Sequence, residues 1–291
     1  MYTIAFVTYS KNPNLTNSDA RVAAALAERG IQVVPVAWDA AGVDWTAYQG
    51  AVVRSCWNYH LYAAAFRTWL ERVTAAGVPV WNTPAVLRWN MDKHYLRDMT
   101  EWGVPIVPTV WLARGSKVHL RGLLGRQGWP SAVIKPCISA SATGTWVTSL
   151  AAATKHQQRL AEMLAGGDVM VQPLLPQIKS GEWSLVFFRS AYSHAVLKTP
   201  GSGSIFVQEE HGGSTVSMQP PPHLVAQATT LLETVHAHIP DAPLLYVRVD
   251  GVEIDGRLVL MELEAIEPEL FLDDAAAGRF AAAIHEIINT S

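Results

Sequence analysis

Cysteine is scarce in this 291-residue chain, which holds only Cys56 and Cys137. Two thiols cannot build a disulfide framework, and they suit a reducing cytoplasm, the expected location. Charge is sparse too: Asp, Glu, Lys and Arg make up 16% of residues, and the formal net charge is −3. Without a basic surplus there is no electrostatic case for a nucleic-acid partner. No apolar run approaches membrane-spanning length, so no membrane partner is expected either. The opening MYTIAFVTYS has no basic leader region and reads as a first strand, not a signal peptide. Internal repeats and low-complexity tracts are missing. What is plentiful is apolar: hydrophobic residues reach 49%, with eleven tryptophans among them. Such a chain can bury a large core divided over two or three subdomains. With no basic patch, the tryptophans are assigned to packing and pocket walls.

Residues 3–8 read as a buried strand, followed by a helix over 18–29 with Ser18 as N-cap and Gly30 as stop. Strands at 31–37 and 51–54 follow, then an amphipathic helix carried by Phe66, Trp69, Leu70 and Val73 and ended by Gly77. Strand, helix, strand, strand, helix describes a small parallel α/β unit. Ligands of such units bind beyond the strand carboxyl ends. There Arg54 could fix a substrate carboxylate, and Trp57 and Tyr59 could wall a small pocket; packing at a domain boundary is the alternative for the aromatics. A helix is expected from Asn90, with Lys93 in its first turn, a poor place for a cation unless an anion binds there. An ordinary exposed lysine is the plainer reading. The strand 132–136 ends near Lys135, and SASATGT at 139–145 follows. Small residues and hydroxyls let backbone N–H groups approach an anion, although ordinary turns use them too. Helices are expected at 152–165, 222–238 and 275–288, strands at 182–189 and 191–198, and a link at 201–213.

The stretch 244–272, LLYVRVDGVEIDGRLVLMELEAIEPELFL, carries charge at alternate positions: Arg248 and Asp250, then Glu262 and Glu264. Alternate residues of a strand share a face. A two-residue turn at Asp255-Gly256 would put Asp250 opposite Met261 and send the acids apart. A three-residue loop, Asp255 to Arg257 with a glycine-assisted bulge, pairs Asp250 with Glu262 and Arg248 with Glu264. The three-residue loop is the expectation, with Val247, Val249, Met261 and Leu263 on the opposite face. Clustered carboxylates repel unless a cation sits among them, and magnesium takes hard oxygen ligands together with those of a phosphate. A solvated amphipathic hairpin is the alternative.

In this order the motifs resemble the ATP-grasp superfamily: Lys93, then Lys135 before its loop, the apolar hinge Gln172-Pro173-Leu174-Leu175, Glu182, Lys198, Arg248-x-Asp250 and Glu262-x-Glu264. QPLLPQIKSGEWSLV at 172–186 is similar to a segment of glutathione synthetases. RWNMDK at 88–93, KPCISAS at 135–141, VQEEHGG at 207–213 and MELEAIEP at 261–268 look most like the cycloserine synthetases. The resemblance spans the chain. It implies a mixed α/β and α+β architecture: the ATP-grasp fold with a parallel α/β pre-ATP-grasp domain over 1–87. The ATP-grasp domain would cover 88–291, with a central part at 88–170 and a C-terminal part at 171–291.

The resemblance also implies roles. Lys93 and Lys135, with Ser139 and Ser141, would hold ATP phosphates. Gln172, Pro173, Leu174 and Leu175 would receive adenine, and Glu182 the ribose hydroxyls. Lys198 and Arg248 would neutralise the γ-phosphate; His211 could assist a proton transfer, with a loop histidine without a role as the alternative. Asp250, Glu262 and Glu264 would hold magnesium, with manganese as a substitute. Asparagine usually stands where Glu264 does, and Glu267 is a further candidate ligand. Arg54, Trp57, Asn58, Gly212 and Gly213 would contact an amino-acid-like small molecule, and loops 139–145 and 205–214 would close over it. A homo-oligomer is expected. The implied reaction is ATP-dependent closure of O-ureido-D-serine to D-cycloserine through an acylphosphate. An intermolecular carboxylate–amine ligase and a small-molecule kinase are the alternatives.

Overall fold

The computed structural model describes residues 2–201, 207, 212–239 and 243–290. Strands β1 (Tyr2–Thr8), β2 (Ile31–Ala37), β3 (Ala51–Val53) and β4 (Val80–Trp81) form a parallel sheet in the order β2-β1-β3-β4. Its central strand is apolar on both faces, as a sheet covered on both sides requires. Ile4 and Phe6 pack toward helix α1 (Asn17–Ala27), and Ala5 and Val7 toward α2 (Ala63–Ala75). Thr16, not Ser18, caps α1: its hydroxyl accepts from Asp19 N at 3.0 Å.

The helix expected from Asn90 is two short ones, α3 (Pro84–Asn90) and α4 (Tyr95–Glu101). Asp92 accepts from His94 N at 3.1 Å in the break between them, and Lys93 lies in that break. The helix-dipole reason for noticing Lys93 therefore falls away. Its backbone N–H instead donates to the Cys137 carbonyl at 2.9 Å.

A second sheet, antiparallel, orders β5 (Val110–Leu112), β6 (Ser131–Pro136), β7 (Trp146–Ser149) and β8 (Val169–Pro173) as β5-β8-β6-β7. Leu120, Leu123 and Leu124 of α5 (Leu120–Gln127) and Leu160 and Leu164 of α6 (Gln157–Gly166) cover one face. α6 starts later than its apolar pattern suggests, because turns occupy 151–156.

The third sheet is antiparallel and ordered β11-β10-β9-β12-β13. It comprises β9 (Glu182–Phe188), β10 (Ala191–Thr199), β11 (Ser214–Ser217), β12 (Tyr246–Ile254) and β13 (Arg257–Glu264). The sequence offered no pattern for β11, a short polar edge strand paired with β10. Helix α7 (Pro222–His238) packs Leu224, Leu231 and Val235 against Leu185, Val247, Val249 and Leu263. Helix α8 (Asp274–Thr290) returns to the first sheet, where Phe280 and Ile284 share a core with Ile4, Phe6, Val22 and Leu26. Among the described residues no helix is long and apolar enough to cross a membrane.

Candidate active site

The turn of the β12–β13 hairpin is Asp255-Gly256, with Ile254 paired to Arg257 and φ values of 50° and 73°. Such left-handed conformations are what a two-residue hairpin turn needs. On its own this turn would set Asp250 against Met261. A bulge intervenes: Gly251 pairs with Leu260, but Asp250 pairs with Glu262 and Arg248 with Glu264. Met261 is the extra residue. The acids face one another as expected, while the expected three-residue loop is absent and the bulge supplies the offset. Met261 also departs from its expected face, packing with Ile178 and Val252 and lining the cavity. A side chain at Gly251 would put its Cβ 2.7 Å from the Val259 carbonyl oxygen and 2.9 Å from Leu258 Cδ1.

The neighbouring strands extend the charged face. Ser184 of β9 pairs with Asp250, and Glu182 pairs with Lys198 of β10. Above this face opens a cavity of about 700 Å³. Lys93, Lys135, Ser139, Ser141, Gln172, Pro173, Leu174, Leu175, Glu182, Lys198, Arg248, Asp250, Glu262, Glu264 and Trp57 all line it. Residues far apart in sequence are thus gathered by three sheets around one space.

Other candidates lie elsewhere. Arg54 is buried away from the cavity: Nε donates to Asp19 Oδ1 at 2.8 Å, and its guanidinium lies over the Tyr246 and Phe280 rings at 5.4 and 5.5 Å. Burial opposes its charge, yet Asp19 more than compensates and raises its pKa. Arg54 therefore packs the interior, outside the lining of the cavity. Asn58 accepts from Trp38 Nε1 at 2.8 Å and donates to Asp39 at 3.0 Å, outside the cavity lining. Gly212 and Gly213 are not part of the lining either, and His211 lies outside the described residues.

Several residues without a sequence signal hold the site in shape. Asn90 donates to the Leu263 carbonyl at 2.7 Å and accepts from Ala265 N at 2.9 Å. Leu263 N donates to the Tyr95 hydroxyl at 2.8 Å. These bonds fix the β13 backbone on both sides of Glu264. Asn82 similarly accepts from Leu245 N at 2.6 Å and donates to the Tyr246 and Ala265 carbonyls at 2.8 and 2.7 Å. Their partners are backbone groups, which leave no mark on hydrophobic periodicity.

The charges are internally matched. Arg248 donates to Asp250, with its Nη2 2.7 Å from Oδ2, and also to Glu264; Ser184 Oγ donates to Asp250 at 2.5 Å. Lys198 Nζ lies 2.5 Å from Glu182 and 3.5 Å from Asp250. Lys93 bridges the Ser139 carbonyl at 2.5 Å and Glu262 at 3.0 Å. Burial resists ionisation of Asp250, but Arg248 and Lys198 prevail and hold its carboxyl well below the usual range. Burial likewise opposes ionisation of Glu262, and Lys93 and Lys135 bring its pKa down. Glu264 differs: burial, with Asp250 and Glu262 nearby, pushes it up to about 7 despite Arg248. Lys135 makes no hydrogen bond or ion pair among the described residues, and burial lowers its pKa, helped by Lys93. A cation left without a partner in a cavity is a natural anion receptor.

The donors suit a magnesium-bound nucleotide. Asp250, Glu262 and Glu264 offer hard oxygens, the unpaired Lys135 awaits an anion, and Leu174, Leu175, Ile178 and Met261 make an apolar wall.

The fold and this charged face define an ATP-grasp protein. D-alanine–D-alanine ligase from Bacillus anthracis, crystallised with ATP, overlays with a TM-score of 0.68 at 12% identity, covering 100% of this chain and 98% of the other. A RimK-domain ATP-grasp protein from Sphaerobacter thermophilus overlays at 0.71 with 16% identity, covering 97% and 99%. Residues 4–82 match the model of the D-cycloserine synthetase DcsG N-terminal domain. The cycloserine biosynthesis protein DcsG of Streptomyces lavendulae is 32% identical over 273 residues, 88% of this chain and 89% of that protein. The crystal structure of D-cycloserine synthetase DcsG gives a TM-score of 0.87 at 29% identity, covering 98% and 99%. The chain belongs to the D-cycloserine synthetase (DcsG) family of ATP-dependent C–N ligases.

Proposed function

We propose that this ligase is a cyclase, converting O-ureido-D-serine to D-cycloserine at the expense of ATP. The observation that carries the reading is the gathering of Asp250, Glu262 and Glu264 with Lys93, Lys135, Lys198 and Arg248 around one cavity. Lys93 and Lys135 bind the nucleotide phosphates, and Gln172 to Leu175 with Met261 receive the adenine. Glu182 takes the ribose hydroxyls. Asp250 and Glu262 would hold a magnesium ion, which would supply charge neutralisation to the terminal phosphates. Glu264 stays on Arg248 and keeps its guanidinium directed at the site.

The substrate carboxylate attacks the γ-phosphorus, forming a C–O–P linkage as the bond to ADP breaks. Arg248 and Lys198 meet the charge that spreads over the transferring group. The ureido nitrogen attached to oxygen then attacks the activated carbonyl, the ring C–N bond forms, and inorganic phosphate leaves. The carbamoyl group is lost on hydrolysis as ammonia and carbon dioxide. Both reacting groups belong to one molecule, so positioning supplies much of the rate gain and no side-chain nucleophile is required.

The test is ATP-dependent phosphate release with a panel of amino acids, O-ureido-D-serine first, and mass analysis of the product. Cyclase activity gives ADP, phosphate and a ring product with one amino acid alone. Demand for a second amine would make the protein an intermolecular ligase, and a stable phosphorylated product without free phosphate would make it a kinase. Glu262→Gln should abolish magnesium-dependent turnover; undiminished turnover would remove the metal assignment.

A further inference from the structure

Two carboxylates that line the cavity, Glu267 and Glu269, have no role in the chemistry above, and Glu269 Oε1 already accepts from Phe271 N at 2.9 Å. Glu267 follows β13 and lines the cavity, as do Trp57, Tyr59 and Phe271. The Tyr246 hydroxyl fixes its place, lying 2.6 Å from the Val53 carbonyl at the end of β3 and 2.7 Å from the Ile266 carbonyl. Glu267 thus stands where the first sheet meets the hairpin. It makes no hydrogen bond or ion pair among the described residues, whereas Asp250, Glu262 and Glu264 each have a cationic partner. Burial, with Glu264 and Glu262 nearby, raises its pKa well above the usual carboxylate range. Among the described residues no cation stands against Glu267 as Lys93 does against Glu262 and Arg248 against Asp250 and Glu264.

Resting on the cyclase reading above, we propose that Glu267 receives the α-ammonium group of the substrate and selects α-amino acids over plain carboxylic acids. An α-amino acid carries its ammonium one carbon from the carboxylate. With the carboxylate directed at Arg248 and Lys198, the ammonium falls among the carboxylates, and Glu267 is the one whose oxygens are uncommitted. Trp57 and Tyr59, aromatic residues of the same lining, would add a second attraction for a cation. Pairing the ammonium with Glu267 anchors the spectator end of the substrate and leaves its ureido arm free to fold back on the activated carbonyl. Glu267 would then be a binding residue, neither a metal ligand nor a nucleotide contact.

The experiment compares O-ureido-D-serine with its analogue lacking the amino group, in the wild-type protein and in Glu267→Gln and Glu267→Asp. The wild type should prefer the amino compound in kcat/KM by about 10- to 100-fold, the range of one hydrogen bond to a charged group. Glu267→Gln should lose most of that preference through KM for the amino acid, and Glu267→Asp should retain part of it. KM for ATP and the half-saturating magnesium concentration should stay put, which also shows that the variants fold. Retained preference in Glu267→Gln overturns the assignment, as does a rise in the magnesium requirement. If O-ureido-D-serine is not turned over at all, the cyclase reading fails, and the same comparison is made with whichever acid triggers phosphate release. A wild type triggered equally well by acids with and without an amino group would then refute the role of Glu267.

Discussion

Gly251→Ala puts the hairpin geometry to a direct test. The new methyl would lie 2.7 Å from the Val259 carbonyl oxygen and 2.9 Å from Leu258 Cδ1. The leucine tip can rotate away. The carbonyl belongs to the facing strand and cannot, so β12 and β13 must separate by several tenths of an ångström at the bulge. Overpacking of this kind costs about 1–3 kcal/mol. In a protein of this size each kcal/mol lowers Tm by about 2–4 °C, so a loss of several degrees is expected in calorimetry. The displacement falls next to the Asp250–Glu262 pair, so the half-saturating magnesium concentration should rise and kcat should fall together. Gly125→Ala serves as control: that residue lies within α5, and a Cβ there meets nothing within 4 Å. It should be neutral or stabilising by about 0.5–1 kcal/mol. If Gly251→Ala melts with the wild type and needs no more magnesium, the bulge does not set the alignment of the acids.

Asn90→Ala strips partners from the Leu263 carbonyl and Ala265 N–H, and each buried group left unpaired costs about 1–3 kcal/mol. Denaturant titration should show that loss, with a higher magnesium requirement in the surviving folded fraction; a wild-type midpoint would dismiss the clamp. Glu264 gives a pH signature in metal-free protein. Its carboxyl is raised from 4.5 to about 7, so the folded state keeps a proton that the unfolded chain gives up, and its contribution to stability is lost as pH rises across that window. Glu264→Gln should flatten the fall in unfolding midpoint between those pH values, and an unaltered slope would count against the burial argument.

Alternation of charge along Arg248-Val-Asp250 and Glu262-Leu-Glu264 was legible because strand geometry has a period of two and each pair spans one repeat. Its relative alignment was right for a wrong local reason: Asp255-Gly256 does form the tight turn, and Met261 absorbs the offset in a bulge that no composition rule marks. Lys135 was readable from a strand ending in a cation before small residues. Lys93 was noticed through a helix that in fact begins only at Tyr95, and its value lies in reaching Ser139 and Glu262 from the break between α3 and α4. Arg54 misled because a strand-end arginine looks available until its buried partner, Asp19, is seen 35 positions earlier. Asn82, Asn90 and Tyr246 were invisible for the converse reason. They serve main-chain atoms distant in sequence, and single side chains of that kind carry no pattern.

The packing of α8 on α1 has a bearing on how the polypeptide is made. Synthesis runs from the N-terminal to the C-terminal side, so the parallel sheet emerges before α8, with Ile4, Phe6, Val22 and Leu26 awaiting a cover that includes Phe280 and Ile284. Until α8 leaves the ribosome, that sheet keeps an oily flank open to chaperones and to neighbouring nascent chains. Deleting residues from 274 onward would then harm the parallel sheet, more than 190 positions from the cut along the sequence.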